Sequence, residues 1–440
     1  MRYFWIILIL FSAFAAQAQD LITLPQAIEE ALNASYQVKI ANKNTTIAQN
    51  NNNYGEAGRF PSITLSVNPQ NTYSNINNPT SFLNGAQILG TGGTATLDLA
   101  WTLFDGFKVR INKSRFDLLE KQSEGNAKLI IENIVQQVTL AYHNAIVQKS
   151  RLAMQAEVLQ FSRDKISYTE TRKEYGQATT FDILQVQDAY LNDSIVWQSQ
   201  QLAYEMALQN LLLAMGKTSG LDDIAVPADT LNYQLVDYDF ETLKNELLDN
   251  NQQIKNEKVK ELIAKNNIEF QKSNLYPRLA MNAGISDQLN ISQVSGKTPQ
   301  ISDAWQAGTT FNGYINFGLS YNIYNGGKVR RSIKNAKVQQ EIAELSTKDL
   351  ERQLLNQLAV LVEQYNRQKQ ILDLSLQLVN NAQKNRTIAS ERFLGNTLNF
   401  FDFRTIQTNY IRSINAAQNA FLSAKNTEIN MLVLLGKLIQ

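Results

Sequence analysis

The chain has 440 residues, with 41 Lys and Arg against 40 Asp and Glu, one histidine and no cysteine. That length can bury more than one core, and the balanced charge gives no basic field for nucleic acid. The absence of thiols excludes disulfides, thiolate metal sites, cysteine nucleophiles and a lipid carried on an N-terminal cysteine.

Residues 1–18 read as a secretory signal peptide. Arg2 precedes an apolar run through Phe14, and Ala16-Gln17-Ala18 supplies a small-x-small cleavage site. The remainder is therefore expected outside the cytoplasm. No later segment is apolar enough for a transmembrane helix: "MLVLLGKLI" near the C-terminus is short and carries Lys437. Any passage through a membrane then falls to strands.

The rest of the chain is written twice. Residues 19–217 and 239–440 read as two copies of one unit, joined by a polar connector over 218–238. "LAWTLFDGFKVR" (99–110) answers "LSYNIYNGGKVR" (319–330), and "LLLAMGK" answers "LVLLGK" at the two ends, each pair 220 positions apart. Each copy opens with helical pattern, around 24–58 and 240–274. Next comes Pro61 or Pro277, where a helix stops and a strand can begin.

Period-two alternation then predicts strands at 61–69 and 95–104 in the first copy, and at 277–286 and 314–324 in the second. Leu97, Leu99 and Trp101 share one face, opposite Asp98, Ala100 and Thr102. Ile315, Phe317, Leu319, Tyr321 and Ile323 share a face opposite Asn316, Gly318, Ser320 and Asn322. Trp101, Tyr314 and Tyr321 are candidates for membrane-interface aromatics. Long polar stretches separate the strands and read as loops.

An apolar strand face suits either a soluble core or lipid. Here no other apolar sheet or helix is spare to cover it, and the opposite face is small and polar, so a lipid-facing barrel is the stronger reading. Four strands cannot close a barrel, since about eight is the smallest number that does. Several chains must then share one.

After each second strand, Asp105-Gly106 or Asn325-Gly326-Gly327 gives a turn and a helix start. The helix from about 107 to 174 contains no proline and only Gly125, and would span roughly 100 Å. Its apolar spacing is near-heptad, with Ile134, Val138 and Ala145 in the first copy and Leu354, Leu358, Tyr365 and Leu372 in the second. Each long helix ends near a glycine, Gly176 or Gly395, and a shorter helix returns. The helical hairpins are expected over 107–217 and 327–437.

Four chemical candidates fail. "SGKT" at Ser295 and "MGKTSG" at Met215 lack the first P-loop glycine, those positions being Ile291 and Leu211. His143 sits alone in a helix, away from any metal-ligand pattern. "GTGG" from Gly90 reads as flexible loop. No cofactor and no enzyme activity is expected.

The ordered set helix–Pro–strand–loop–strand–"FDGFKVR"/"YNGGKVR"–long helix–"GQATTFDIL"–helix, present twice, resembles the TolC-like outer-membrane efflux proteins. The resemblance spans essentially all of the expected mature chain. It implies a mixed α and β membrane protein, a homotrimer in which each chain gives four transmembrane strands to one β-barrel and its helical hairpins to an α-helical barrel across the periplasm. It also implies a passive exit duct in the outer-membrane lipid for a tripartite efflux or type I secretion system. A periplasmic adaptor would dock at the hairpin tips, around Gly176, Thr179, Gly395 and Asn396, and join the duct to an inner-membrane pump. Many relatives carry a lipidated N-terminal cysteine; this sequence has none. In the family, acids near the second tip form a ring in the pore. Asp402 matches that position, while Thr405 replaces a second acid and Arg392 replaces a tyrosine. Asp402, Asp182 and Arg392 are therefore the candidate constriction, with an Asp182–Arg392 latch as one possibility and helix capping by either aspartate as the other. The competing functional class is an exported, soluble coiled-coil scaffold without channel activity.

Overall fold

The computed structural model describes residues 21–217, 226–296, 304–395 and 397–438. The expected signal peptide, connector residues 218–225 and the tip residue Asn396 lie outside the described residues. In chain order the elements are β1 (Leu21–Ile22), α1 (Leu24–Ala34), α2 (Tyr36–Asn51), β2 (Ser62–Asn75), β3 (Ala86–Phe104), α3 (Lys108–Glu174) and α4 (Thr180–Ala214). They continue with β4 (Val226–Pro227), α5 (Phe240–Asn250), α6 (Gln252–Lys272), β5 (Arg278–Gly296), β6 (Gln306–Ser320), α7 (Lys328–Leu394) and α8 (Phe400–Leu434). α3 and α7 each have 67 residues, and α4 and α8 each have 35.

The two sequence copies are not the two compact units. One unit, helical, comprises Met1–Asn44, Glu124–Asn256 and Thr347–Gln440; the other, centred on a sheet, comprises Thr45–Ser123 and Glu257–Ser346. Each takes segments from both copies, because a single copy offers only two of the sheet's four strands.

In the helical unit the near-heptad positions are buried. Ile134, Val138 and Ala145 of α3 pack with Ala27, Ala31, Leu208 and Leu211. Leu354, Leu358 and Tyr365 of α7 pack with Leu243, Leu247, Ile254 and Leu434. The returning helices stop in six-to-one and five-to-two carbonyl pairings at a left-handed glycine. Gly216 N bonds Leu213 O and Lys217 N bonds Leu212 O; Gly436 and Lys437 repeat the pattern. Each stop abuts the beginning of an earlier helix. Asn251, buried, makes the second junction: its Nδ2 donates to Leu434 O of α8 (2.8 Å) and its Oδ1 caps Ile254 N of α6 (2.9 Å). One side chain closes the end of one helix and the start of another.

The connector is less polar than its sequence reads. β4 pairs in parallel with β1. Beyond it, Leu231, Tyr233 and Leu235 pack on the cluster of Val147, Leu372 and Phe421, and Tyr365 Oη donates to Val236 O (2.8 Å). Isolated apolar residues in a short extended segment lack a period, so the packing has no sequence signal.

Burial, with Lys425 nearby, pushes the His143 pKa down to about 4 from an ordinary 6.5. Below pH 6.5 the unfolded chain binds a proton that the fold rejects, so stability falls as pH drops toward 4. The loss reaches roughly 2 kcal/mol by about pH 5. His143→Gln is expected to flatten this acid limb, read as the denaturation midpoint between about pH 7 and pH 5; an unchanged limb would assign the acid sensitivity elsewhere.

In the second unit the strand order is β2-β3-β5-β6, with every neighbouring pair antiparallel. All four strands extend beyond the polar boundaries expected from alternation. β2 runs on to Asn75, β3 starts at Ala86, β5 reaches Gly296 and β6 starts at Gln306. Backbone ladders need no apolar face, and both faces of these extensions are largely polar. "GTGG" is thus strand, not flexible loop: a Cβ on Gly92 would stand 2.1 Å from Leu289 O, so only glycine permits this strand approach. At the other end β6 stops at Ser320, one residue short of Tyr321. The partner of Tyr321 in register would be Pro277, which has no N–H to donate.

Candidate functional site

The sheet presents two chemically distinct faces. Register places Ile63, Leu99, Ala283 and Ile315 in one row and Leu65, Leu97 and Ile285 in the next. Trp101, Met281 and Phe317 form a third row on the same face, with Leu279 and Leu319 beyond. Nothing among the described residues covers this face: Ile315 is 68% exposed, Phe317 65% and Leu319 72%. Isolated exposed apolar residues are ordinary, but a continuous face of this kind marks contact with lipid or another protein. Trp101 Nε1 donates to Arg59 O (2.9 Å) at one border. Of the residues expected to face lipid, Leu97, Leu99, Trp101, Ile315, Phe317 and Leu319 lie on this face, and Tyr321 lies beyond the strand.

Polar rows alternate with these on the opposite face. Thr64, Asp98, Gly284 and Tyr314 are aligned across all four strands, as are Ser66, Thr96, Ser286 and Asn312. Tyr314 therefore points away from the apolar face and is no interface aromatic. Its hydroxyl donates to the Asp98 carboxylate by passing over Gly284. A Cβ there would come within 2.8 Å of Tyr314 Oη and 2.9 Å of Asp98 Oδ1, so the glycine makes this bridge possible. Arg278 Nη2 donates to Thr102 Oγ1 (3.2 Å) on the same polar side. Within the chain β2 and β6 are the sheet's edge strands, each with one unpaired side.

The hairpin tips belong to the helical unit. Gly176 is left-handed (φ 69°) and closes α3, with its N–H on Lys173 O and Gln177 N–H on Arg172 O. Thr179 is the N-cap of α4. Asp182 N donates to Thr179 Oγ1 (3.2 Å), while Asp182 Oδ2 accepts from Thr179 N and Oγ1 (both 2.7 Å). These donors hold the Asp182 carboxyl below the usual carboxylate range. At the second tip Gly395 N bonds Glu391 O (2.9 Å), and Asn399 caps α8 by accepting from Asp402 N (2.9 Å). Asp402 is exposed, and its Oδ2 accepts from Asn399 Nδ2 (2.9 Å).

The caps are therefore Thr179 and Asn399, and both aspartates occupy the third helical position. No ion pair joins Asp182 to Arg392 within the chain; Arg392 instead lines a groove between α7 and α8 with Leu378, Ile388, Leu398 and Arg412. Thr405 turns its hydroxyl back to Phe401 O (2.9 Å). Among the described residues no group of three His, Asp or Glu could hold a metal ion, and no helix is long and apolar enough to cross a membrane.

Residues 243–432 match the model of the outer membrane efflux protein family. Among curated proteins, no sequence matches the chain. Solved structures with the same fold include the CusC channel, at a TM-score of 0.73 and 14% identity over 94% of this chain and 92% of that one. The outer membrane protein VceC of Vibrio cholerae follows at 0.69 and 17% over 94% and 96%. The CmeC outer membrane channel of Campylobacter jejuni stands at 0.70 and 15% over 94% and 85%. At these identities the structural likeness speaks for the fold; the family match over the second copy is the sequence evidence.

Proposed function

We propose that this chain, which carries the outer membrane efflux protein signature in its second copy, is one subunit of a homotrimeric exit duct in an outer membrane. The observation that carries the reading is the sheet: apolar and uncovered on one side, hydroxyl- and amide-lined on the other, with both edges open. Strand directions alternate from β2 to β6, so β6 of one copy can meet β2 of the next in the same antiparallel sense. Lipid tolerates strands only when every backbone group is paired, which closure into a ring achieves. Three copies give a twelve-stranded barrel, as the family resemblance implies.

The helices support the same assembly. α4 exposes Leu184, Leu191, Ile195, Leu202 and Met206, while α7 exposes Ile371, Leu374, Leu378 and Ile388. These are two unlike surfaces, and unlike surfaces that meet head to tail generate rings. The hairpins then form a tube through the periplasm. Their tips, at Gly176, Thr179, Gly395 and the neighbouring Asn396, are the docking point for a periplasmic adaptor, through which an inner-membrane pump of an efflux or type I secretion system supplies cargo and energy. The duct itself catalyses nothing.

At the tip, Asp402 is presented three times by the trimer and forms the ring that attracts cations into the constriction. Asp182, committed to its capping box, lends negative charge nearby, and Arg392 lies beside the groove that the next subunit meets. Asp402→Ala is expected to weaken divalent-cation block of single channels by roughly tenfold or more, about 1.4 kcal/mol. Unchanged block would remove the ring but leave the duct. The duct itself is tested by fractionation: a trimer extracted by detergent from outer membranes supports it. A monomer released by osmotic shock supports the soluble scaffold.

A further inference from the structure

The duplication fixes more than the order of elements. Pro61 and Pro277, at the start of the first strand of each copy, stand 216 positions apart, while the second strands stand 220 apart. Those offsets carry the β2–β3 pair Ser62–Ala100 onto Arg278–Ser320 of β5–β6, and Ile63–Leu99 onto Leu279–Leu319. Both derived pairs are present in the sheet. The two copies therefore share one strand register.

The sheet holds one junction between copies, β3 with β5, and lacks its counterpart, β6 with β2. β6 is the second-copy form of β3, and β2 is the first-copy form of β5. The same offsets carry each β3–β5 pair onto the two open edges. Ala100–Asn282 becomes Ser320–Ser66, and Trp101–Met281 becomes Tyr321–Leu65. Within one chain β3 and β5 separate these edges, so such pairs form only with a second copy.

We infer that the trimer closes in this register, with Ser320 opposite the partner's Ser66, and that β6 lengthens past Ser320 only on assembly. This rests on the duct reading. β3 continues to Phe104 because β5 lies beside its last residues, with Trp101 on Met281 and Phe104 on Leu279. Their counterparts Tyr321 to Tyr324 lie past the last β5–β6 pair and are exposed. In the inferred register Tyr321 meets the partner's Leu65 and Asn322 meets the partner's Thr64. That pairing covers backbone which lipid would not tolerate bare.

The register also seats the partner's Tyr73 across Gly313, on the apolar face. Tyr73 is exposed, and a Cβ on Gly313 would meet nothing nearer than Ile285 Cγ2 at 3.8 Å, so a ring has room to cover the glycine. A flat junction, with Ile315 on the partner's Ile63, would give no stagger, and a barrel needs stagger to close. The inferred junction sets Ile315 on the partner's Asn71 instead. Trp101 and Tyr321, being counterparts, then stand at one height and alternate around the ring as an aromatic girdle.

The chain has no cysteine, so introduced thiols are the only ones present. Full-length S66C/S320C, oxidised in outer membranes, is expected to give disulfide-linked dimers and trimers on non-reducing gels. Their yield should exceed that of S66C/N316C and S66C/N312C by at least roughly tenfold, because directly opposed residues suit a disulfide and displaced ones do not. N312C is the position that the flat junction would select. N68C/G318C obeys the inferred register too and is expected to link, which decides the matter if the first pair fails to assemble. T64C/N322C reads the added length of β6, and its failure to link beside a linked S66C/S320C would overturn that lengthening. A trimer that links through N316C or N312C instead, or at no pair, would overturn the register and leave the duct standing. A chain that stays monomeric and links at no pair would overturn both.

Discussion

Ile315→Lys is expected to remove the protein from the outer membrane, while Asn316→Lys, one residue along the same strand, is expected to leave it there. The two positions differ only in the side of the sheet they occupy. Ile315 sits in a row with Ile63, Leu99 and Ala283, and Asn316 pairs with Asn282 on the polar side. A lysine on the lipid face of a barrel costs about 2–4 kcal/mol near the midplane. A homotrimer incurs that cost three times, which is comparable with the whole stability of an ordinary domain. In the proposed barrel, a lysine at position 316 would meet the hydroxyls and amides of the polar face and cost little. Membrane-fraction trimer should therefore fall by more than roughly tenfold for the first variant and by less than about twofold for the second. Equal recovery of the two would mean that hydrocarbon is not the medium on the apolar side.

The second large effect is at the strand-to-helix turn that the chain writes twice. Both copies place two consecutive residues in left-handed backbone: Gly106 and Phe107 (both φ 72°), and Gly326 (φ 65°) and Gly327 (φ 73°). The packing around them differs. A Cβ on Gly106 would lie 2.3 Å from Ser273 O and 2.9 Å from Tyr276 Cβ, whereas nothing lies within 4 Å of one on Gly326. Gly326→Ala incurs only the conformational penalty, about 1–2 kcal/mol. Gly106→Ala adds a collision with backbone that must move, and is expected to cost more than about 3 kcal/mol in total. Denaturation midpoints of the two variants would show the difference, and equal shifts would place the whole cost in the backbone angle. Phe107 tolerates its angle because its ring packs edge-on against Phe104 (5.3 Å) and Tyr276 (5.7 Å).

Elements with a strong period were legible. Half of each strand carries an apolar face that must go somewhere, so Ile315 to Leu319 announced both strand and side. The polar halves did not, because a ladder of backbone bonds leaves no mark on side chains that meet water on both faces. Asp287, between Ile285 and Leu289 on the apolar side of β5, breaks the alternation where the reading stopped. The tip glycines and the aspartates after them were visible as punctuation. The roles within the punctuation were not: Thr179 and Asn399 took the caps, because capping suits a short oxygen three residues ahead of a free N–H. The surroundings of the buried Lys165 in α3 were the least legible feature. The rings around it, Phe161, Tyr168, Phe393 and Phe403, come from three helices, and a lysine at helical spacing between Phe161 and Tyr168 reads as a solvated face until α7 and α8 close over it.

The parallel pair β1–β4 has a bearing on how the protein is made. Leu21 and Ile22 find their partners only at Val226 and Pro227, beyond the whole first copy. Contacts so remote in sequence carry a large loop-closure cost, so Leu21 and Ile22 stay unmatched until some two hundred further residues are in place. A first copy expressed by itself would lack that partner and also the β5 neighbour of β3. Each copy alone is thus a fragment, and the β1–β4 and β3–β5 pairings exist only when both are present.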